Sequence, residues 1–192
     1  CLSIVIANDG KDLLDESVKP NKALEELTPA EIIDIVKNAG IVGMGGAGFP
    51  TYVKLNPGKP IDAVLVNACE CEPYITADDG LLRTSPEQVL KGMQLLARVL
   101  KPDHVVLAVE DNKQEAIMNL RGLIKKYPGI ELRILPTRYP QGSEKQLIQS
   151  VTGRQVPSGK LPVNVGCAVF NVATFAAIFR ATYWGVPLTQ RI

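Results

Sequence analysis

The stretch AVLVNACECEP, residues 63–73, opens with a run, AVLVNA, that is rich in β-branched side chains and mostly apolar on both faces. Such a run is typical of a strand buried on both sides, as in a parallel sheet. Two similar runs follow, HVVLAV at 104–109 and IELRIL at 130–135. Because predicted helices separate these runs, the sequence indicates a Rossmann-like layered α/β domain with a largely parallel sheet flanked by helices.

The predicted helices begin at capping sequences. Thr28-Pro29-Ala30-Glu31 and Ser85-Pro86-Glu87-Gln88 each place an N-cap hydroxyl, a proline at the first helical position and a Glu or Gln at the third. Asn112 and Ser143 start similar sequences that lack the proline. Together with the apolar patterning, these signals predict five helices, over residues 29–39, 86–100, 113–127, 144–151 and about 171–183.

Composition excludes several classes of protein. A length of 192 residues with 46% hydrophobic content fits one domain with a real core. Lysine and arginine (21) nearly balance aspartate and glutamate (20), which argues against a nucleic-acid binder. The longest apolar stretch, residues 169–179, is too short to cross a bilayer. The cysteines are too few for a disulfide scaffold and favour a reducing, cytoplasmic setting. They are Cys1, Cys69, Cys71 and Cys167.

The first ten residues, CLSIVIANDG, contain an apolar run that predicts a strand. The chain starts at this run without an initiator methionine or a signal peptide. We therefore expect the sequence to be a fragment of a longer protein.

A glycine-rich stretch, GIVGMGGAGFPTYVKL at residues 40–55, contains the pattern G-x-G-x-x-G at Gly43, Gly45 and Gly48. Glycines let the backbone approach a ligand closely and leave N–H groups free to face an anion. The stretch follows a predicted helix, whereas the glycines of a dinucleotide-binding fold follow a strand. The alternative is that these glycines serve only a helix end, at Gly40, and a tight turn.

Two side chains that follow the glycines could contact a ligand. Phe49 presents an aromatic ring that could stack on a heterocycle, and Lys54 presents an ammonium group that could neutralise a phosphate. The alternatives are core packing for Phe49 and a solvated side chain for Lys54.

Polar residues follow the first predicted strand, within NACECEPYITADDGLL at residues 67–82. Ligands bind outside the carboxyl ends of strands in open α/β sheets, so Asn67, Glu70 and Glu72 are placed to accept hydrogen bonds from ribityl or ribose hydroxyls or ring N–H groups. The alternative is a loop whose polar residues face water.

Metal ligation is not predicted at Cys69 and Cys71. The chain has a single histidine, His104, which does not complete a zinc site with them. Iron–sulfur ligation requires closely grouped cysteines that end in a fourth. We interpret both cysteines as small packing residues.

Two further stretches carry candidate binding residues. RYPQGSEKQL, residues 138–147, leads into a predicted helix whose first N–H groups attract anions, with Gly142 allowing close approach. Glu144 lies in the first turn of that helix. The second stretch, NVGCAVFNVATFAAI at 164–178, offers Asn171 and Thr174 around the start of the last helix.

These four stretches, in this order, resemble the flavin-binding module of the NADH-oxidising subunit of respiratory complex I and of the C subunit of Rnf ion-translocating electron transport complexes. GMGGAGFPTYVKL is similar to the glycine loop of the complex I protein. NACECEP resembles its Asn-Ala-Asp-Glu-Ser-Glu-Pro segment, YPQGSEKQL its Tyr-Ile-Cys-Gly-Glu-Glu-Thr-Ala-Leu segment, and FNVAT its Asn-Asn-Val-Glu-Thr segment.

The resemblance implies an FMN-dependent module that takes hydride from NADH and passes single electrons to iron–sulfur centres. In an Rnf complex, NADH and ferredoxin exchange electrons, coupled to Na⁺ or H⁺ movement. The implied partners are the other Rnf subunits and, indirectly, ferredoxin, at the cytoplasmic face of the membrane. Two [4Fe–4S] clusters are expected in the full-length protein but not in this chain.

By the same resemblance, residues 1–20 are the end of a lipoyl-like region and residues 21–187 are the FMN- and NADH-binding domain. Residues 188–192 begin a linker to a β-grasp domain.

The resemblance implies binding roles residue by residue, with no catalytic acid, base or nucleophile because the flavin performs the chemistry. The nucleotide loop is implied at Gly43, Gly45, Gly46 and Gly48, with Phe49 beside the nicotinamide or adenine. Contact with flavin or its phosphate is implied for Lys54, Asn67, Glu70 and Glu72. The NADH cleft is implied at Tyr139, Gly142 and Glu144, and the FMN phosphate end at Asn171 and Thr174.

The chain also departs from the complex I pattern. Cys69, Ser143 and Phe170 stand where that pattern has an aspartate, a glutamate and an asparagine. The lost carboxylates bear mainly on how NADH is held. Two other interpretations remain: a flavoprotein cobalamin reductase, which resembles the same module, and a docking module that holds no flavin.

Overall fold

A computed structural model describes residues 3–7, 9–11, 13–21, 23–46 and 48–189. Its four strands form one sheet in the order β3-β2-β1-β4, and every neighbouring pair is parallel. The strands are β1 (Ala63–Ala68), β2 (His104–Glu110), β3 (Ile130–Leu135) and β4 (Cys167–Asn171). This confirms the predicted α/β class with a parallel sheet flanked by helices.

The α-helices of the described residues run in chain order between and around these strands. They are α1 (Pro29–Asn38), α2 (Thr51–Lys54), α3 (Ala77–Thr84), α4 (Pro86–Leu100), α5 (Gln114–Leu123), α6 (Glu144–Thr152) and α7 (Val172–Trp184). None of them combines the length and apolar content needed to cross a membrane.

The strand order creates a reversal at β1. The chain passes from β1 outward to β2 and β3, and then returns across the sheet to place β4 on the other side of β1. Ligands of open α/β sheets bind in the crevice outside the carboxyl ends of the strands at such a reversal. The residues that follow β1 and β4 are therefore expected to lie at a ligand site.

Helices cover both faces of the sheet. Alternate residues of each strand point to opposite faces, so each strand contributes to two core clusters. Val64 and Val66 belong to the larger core cluster, together with residues of α1, α3, α4, α5 and α7. Leu65 packs on the other face with Leu147 and Ile148 of α6. A strand buried on both sides is mostly apolar, which is the pattern that identified β1 and β2 in the sequence.

Most predicted elements are confirmed, and two were missed. The helix predicted over 113–127 gives way to a 3₁₀ turn at Ile124–Lys126. The sequence did not predict α3 or β4, and it left open whether α2 is helical. β4 runs directly into α7, so its five residues merge with the helix in the apolar pattern of the sequence.

Only one of the four predicted caps forms. The Thr28 backbone N–H donates to Glu31 at 2.8 Å, and the Glu31 N–H donates to the Thr28 hydroxyl at 3.3 Å. Ser85 and Ser143 make no side-chain cap bond, and α5 starts after Lys113 rather than Asn112. Ser85 also ends α3 with φ −141° and ψ 44°, so its backbone is not in the extended conformation that directs an N-cap hydroxyl at the helix.

The strand predicted near the N-terminus is wrong where the structure describes it. Residues 3–7 form no strand, and Ile4, Val5 and Ile6 are each more than 80% exposed. Within the described ranges these side chains have no sheet or helix to pack against, so their apolar character does not produce a strand. Cys1, Leu2 and Asn8 of that segment lie outside the described residues, as do residues 190–192 of the predicted linker. The predicted domain boundaries stay predictions.

Candidate functional site

The glycine loop is a closed turn between α1 and α2. Val42 and Pro50 form an antiparallel bridge, and the Gly43 N–H donates to the Phe49 carbonyl at 2.8 Å. Gly45 and Gly48 have φ of +73° and +65°, which an L side chain rarely adopts. Gly45, Gly46 and Gly48 are exposed, so these glycines present bare backbone to solvent.

The start of α7 holds this loop. The Met44 N–H donates to the Thr174 hydroxyl at 3.3 Å, and a Cβ at Gly45 would lie 3.2 Å from Nδ2 of Asn171. The structure therefore brings two predicted residues from near the C-terminus against the predicted loop. Thr174 is fully buried, so its hydroxyl supports the loop rather than facing solvent.

Asn171 is the N-cap of α7. Its Oδ1 accepts from the Ala173 N–H at 2.8 Å, and its Nδ2 donates to Oδ2 of Asp78 at 2.7 Å. The first amides of a helix favour anions. Asn171, Thr174 and the glycine turn thus gather beside the start of a 13-residue helix.

Lys54 points into the structure instead of into solvent. Its Nζ donates to the Val169 carbonyl at 2.9 Å, lies 4.0 Å from Oε1 of Glu144 and lies 5.3 Å from the centre of the Phe170 ring. The side chain is one third exposed, so the charge remains accessible. The structure brings together Lys54 and Glu144, which are 90 residues apart in the sequence.

Asn67, near the end of β1, contacts the loop that precedes α6. Its Nδ2 donates to the Gly142 carbonyl at 2.8 Å, and its Oδ1 accepts from the Cys69 N–H at 3.0 Å. A Cβ at Gly142 would lie 2.1 Å from the Cys69 carbonyl oxygen. The loop before α6 therefore rests directly on the residues that follow β1.

The two predicted glutamates of the β1 loop have different environments. Glu70 is buried, accepts from the N–H groups of Asp78 at 3.0 Å and Asp79 at 3.4 Å, and lies 3.9 Å from the ammonium of Lys113. These contacts hold the start of α3. Glu72 is exposed, and its carboxylate makes no hydrogen bond or ion pair within the described part of the chain. Of the two, Glu72 has the carboxylate that is free for a ligand.

Two aromatic side chains among the predicted site residues are exposed. Phe49 follows the glycine turn and is 49% exposed. Tyr139 lies between β3 and α6, is 76% exposed and lines a groove of about 470 Å³. Exposed rings of this kind offer stacking surfaces for a heterocycle.

Two carboxyl groups near this site were not predicted from the sequence. Burial raises the pKa of Asp78 to about 6, with Glu70 adding to the effect and the hydrogen bond from Asn171 opposing it. Glu110 ends β2, is fully buried, and has no hydrogen bond of normal geometry to either carboxylate oxygen. Burial raises its pKa as well, against the nearby charge of Lys113. The sequence signal for Glu110 was a glutamate directly after the apolar run HVVLAV. The signal for Asp78 was the acidic pair Asp78-Asp79 shortly before two leucines.

Cys69 is not an activated thiol. Burial, followed by the charge of Glu110, raises the pKa of its thiol to about 12. In the described residues no group of three histidine, cysteine or acidic side chains is arranged to hold a metal ion.

The sequence pattern of the Nuo51 FMN-binding domain family matches residues 36–180 of this chain, which is more than half of it. The chain belongs to this family. The match spans every predicted site residue, from Gly43 to Thr174.

Curated relatives are components of ion-translocating oxidoreductase complexes. The chain is 46% identical over 192 residues to the C subunit of the Na(+)-translocating ferredoxin:NAD(+) oxidoreductase complex of Acetobacterium woodii, an alignment that covers 99% of this chain and 43% of the relative. It is 43% identical to the C subunit of the proton-translocating ferredoxin:NAD(+) oxidoreductase complex of Clostridium ljungdahlii, over 100% of this chain and 42% of the relative. The chain thus spans less than half the length of these relatives.

A solved structure shares the fold. It is a crystal structure of an NAD+-reducing [NiFe]-hydrogenase in the H2-reduced state, with a TM-score of 0.75 and 29% sequence identity. The similarity covers 85% of this chain and 33% of that one.

Proposed function

We propose that this chain is the FMN-dependent, NADH-oxidising electron-transfer module of an Rnf-type membrane-associated, ion-translocating NADH:ferredoxin oxidoreductase complex. The observation that carries the proposal is the convergence of four separate stretches at the reversal of the sheet. The glycine turn, the end of β1, the loop before α6 and the start of α7 all gather there, through contacts between the turn and α7 and between β1 and the loop.

The side chains and backbone groups at this place fit FMN. The phosphate of FMN needs cations and N–H donors, which the ammonium of Lys54, the exposed glycine turn and the start of α7 supply. A flavin ring carries N–H and carbonyl groups, which suit the amide of Asn67 and the carboxylate of Glu72. Glu70 would act indirectly, because its oxygens are already occupied at the start of α3.

When bound, FMN supplies the redox chemistry: it accepts hydride from NADH and releases electrons singly. The chain's residues bind and orient the two ligands. Phe49 and Tyr139 would stack on the nicotinamide or adenine of NADH. Glu144, which faces Lys54, would border the NADH cleft with Gly142. Glu72 and Glu144 set the charge around the flavin.

We further propose the setting of this module. The other Rnf subunits are its direct partners, ferredoxin is an indirect one, and the location is peripheral, at the cytoplasmic face of the membrane. The relatives are more than twice as long as this chain. The two [4Fe–4S] clusters would be carried outside these 192 residues.

Reconstitution tests the proposal directly. The purified chain is mixed with FMN, freed of unbound flavin and treated with NADH without oxygen. We expect retained flavin absorbance that NADH bleaches, and weaker retention of riboflavin, which lacks the phosphate. A chain that retains no FMN would contradict the proposal and favour a docking module. Retention without bleaching would limit the module to flavin binding.

A further inference from the structure

Asp78 lies in the first turn of α3 and faces the start of α7. Its Oδ2 accepts from Nδ2 of Asn171 at 2.7 Å. Its backbone N–H donates to Oε1 of Glu70 at 3.0 Å, which fixes the position of the turn that carries it. Through Glu70, this turn is also connected to Lys113 at the start of α5.

The hydrogen bonds of Asn171 determine which way its amide faces. Oδ1 can only accept and Nδ2 can only donate. Oδ1 is used by the Ala173 N–H at the start of α7, and Nδ2 is used by Asp78. A flipped amide would place Oδ1 against the carboxylate of Asp78 and would lose the helix cap. The observed orientation puts Nδ2 beside Gly45, at 3.2 Å from the Cβ position of that glycine.

We propose that Asp78 is a positioning residue for the cofactor site, because it holds Nδ2 of Asn171 beside the glycine turn so that its second N–H faces the phosphate end of FMN. The proposal rests on the proposed function, since it requires FMN at this site. Asp78 itself acts only through Asn171.

The charges around Asp78 make the contact sensitive to pH. Burial has the largest effect and raises the pKa of Asp78 to about 6. The hydrogen bond from Asn171 and the charge of Lys113 lower this pKa, whereas Glu70 and Glu72 of the β1 loop raise it. The buried thiol of Cys69 also interacts with this carboxylate. The carboxylate is ionised at neutral pH, where its bond to Asn171 is charge-assisted and strong.

The first experiment compares FMN and riboflavin affinities of variants. Asp78→Ala removes the acceptor, whereas Asp78→Asn keeps an oxygen that can accept from Asn171. We expect Asp78→Ala to weaken FMN binding by about tenfold, with a smaller effect on riboflavin, and Asp78→Asn to recover most of the loss. Asp79→Asn is the matched control, because that side chain pairs with Arg83 on the same helix. Its FMN affinity is expected to equal that of the wild type.

The second experiment needs no cofactor. The side-chain amide resonance of Asn171 is followed by NMR as the pH changes. We expect it to shift with a midpoint near 6 in the wild type, as the carboxyl of Asp78 titrates, and to lose this shift in Asp78→Asn. This readout also identifies variants that fail to fold, because their spectra lose chemical-shift dispersion.

The outcomes separate the two proposals. Equal FMN affinity of wild type and folded Asp78→Ala would overturn the positioning role, as would an equal loss of FMN and riboflavin. An Asn171 amide that does not respond to Asp78 would also overturn it. Failure of the wild type to bind FMN, with the Asn171 titration intact, would instead overturn the proposed function and the cofactor part of this inference.

Discussion

Gly142 lies so close to the carbonyl oxygen of Cys69 that a Cβ atom there would be 2.1 Å from it. The neighbouring carbonyl of Gly142 accepts from Nδ2 of Asn67 at 2.8 Å. Through these two contacts the loop before α6 packs against the end of β1. The two stretches that bear Asn67 and Glu144 are therefore closely packed against each other.

Replacing Gly142 by alanine should disturb that junction. The added methyl group meets backbone, which cannot turn aside as a side chain could, so we expect the free energy of unfolding to fall by about 1–3 kcal/mol. Gly122→Ala, within α5 and with open space around its Cβ position, is the matched control and should stabilise the protein by about 0.5–1 kcal/mol. Chemical denaturation measures both. Equal stability of Gly142→Ala and wild type would contradict the close packing.

Lys54 should matter for the phosphate of FMN. Lys54→Met keeps the apolar stem and removes the ammonium, so we expect FMN affinity to fall by about ten- to a hundredfold and riboflavin affinity to change less. Lys59→Met, at an exposed position, is the control. Titration of the folded variants with each flavin decides this assignment. Unchanged FMN retention in Lys54→Met would remove Lys54 from the site.

Substitution of Glu70 should lower stability, whereas substitution of Glu72 should alter flavin binding. Glu70→Gln weakens the contacts at the start of α3 and with Lys113, and should lower the free energy of unfolding by about 1–3 kcal/mol. Glu72→Gln, at an exposed carboxylate, should change stability by less than about 0.5 kcal/mol while altering flavin binding. Thermal unfolding and flavin titration of both variants test this. The reverse pattern would show that the two roles are exchanged.

Phe49 should affect NADH more than FMN. Its ring is half-exposed, so Phe49→Ala removes little core packing and should leave the fold and FMN retention close to those of the wild type. We expect a higher KM for NADH because the stacking surface is lost, and recovery in Phe49→Tyr. Steady-state rates with an artificial electron acceptor provide the measurement. An unchanged KM in Phe49→Ala would place the nicotinamide and adenine elsewhere.

Asp78 should also leave a signature in the pH dependence of stability. Its pKa is raised from 3.8 to about 6, so the folded chain binds this proton more tightly than the unfolded chain does. The contribution of this group to the free energy of unfolding is therefore full below about pH 4 and is lost as the pH rises through 6. Relative to Asp78→Asn, the wild type should gain on the order of 2 kcal/mol between pH 7 and pH 4.

Comparing the two proteins at each pH cancels the titration of groups that do not interact with Asp78. Parallel stability curves for wild type and Asp78→Asn would show that the carboxyl of Asp78 is not held in a buried environment.

The sequence supported some elements better than others for identifiable reasons. β1 and β2 are buried on both faces, so most of their residues are apolar, and the predicted bounds agree with the structure to one residue. Capping sequences were weaker guides. Thr28 and Glu31 bond as predicted, but Ser85 both ends one helix and precedes the next, which fixes its backbone away from the capping conformation.

The amino-acid sequence by itself determined the α/β class, because burial on both faces of a parallel sheet imposes a continuous apolar pattern. Its four motifs also predicted family membership, which the family match confirmed. The tertiary structure decided which polar side chains form hydrogen bonds within the protein and which stay exposed. Burial and hydrogen bonding depend on residues distant in sequence, such as Asp78 and Asn171, or Lys54 and Val169. A local pattern therefore could not reveal that Glu70 supports α3 while Glu72 remains exposed.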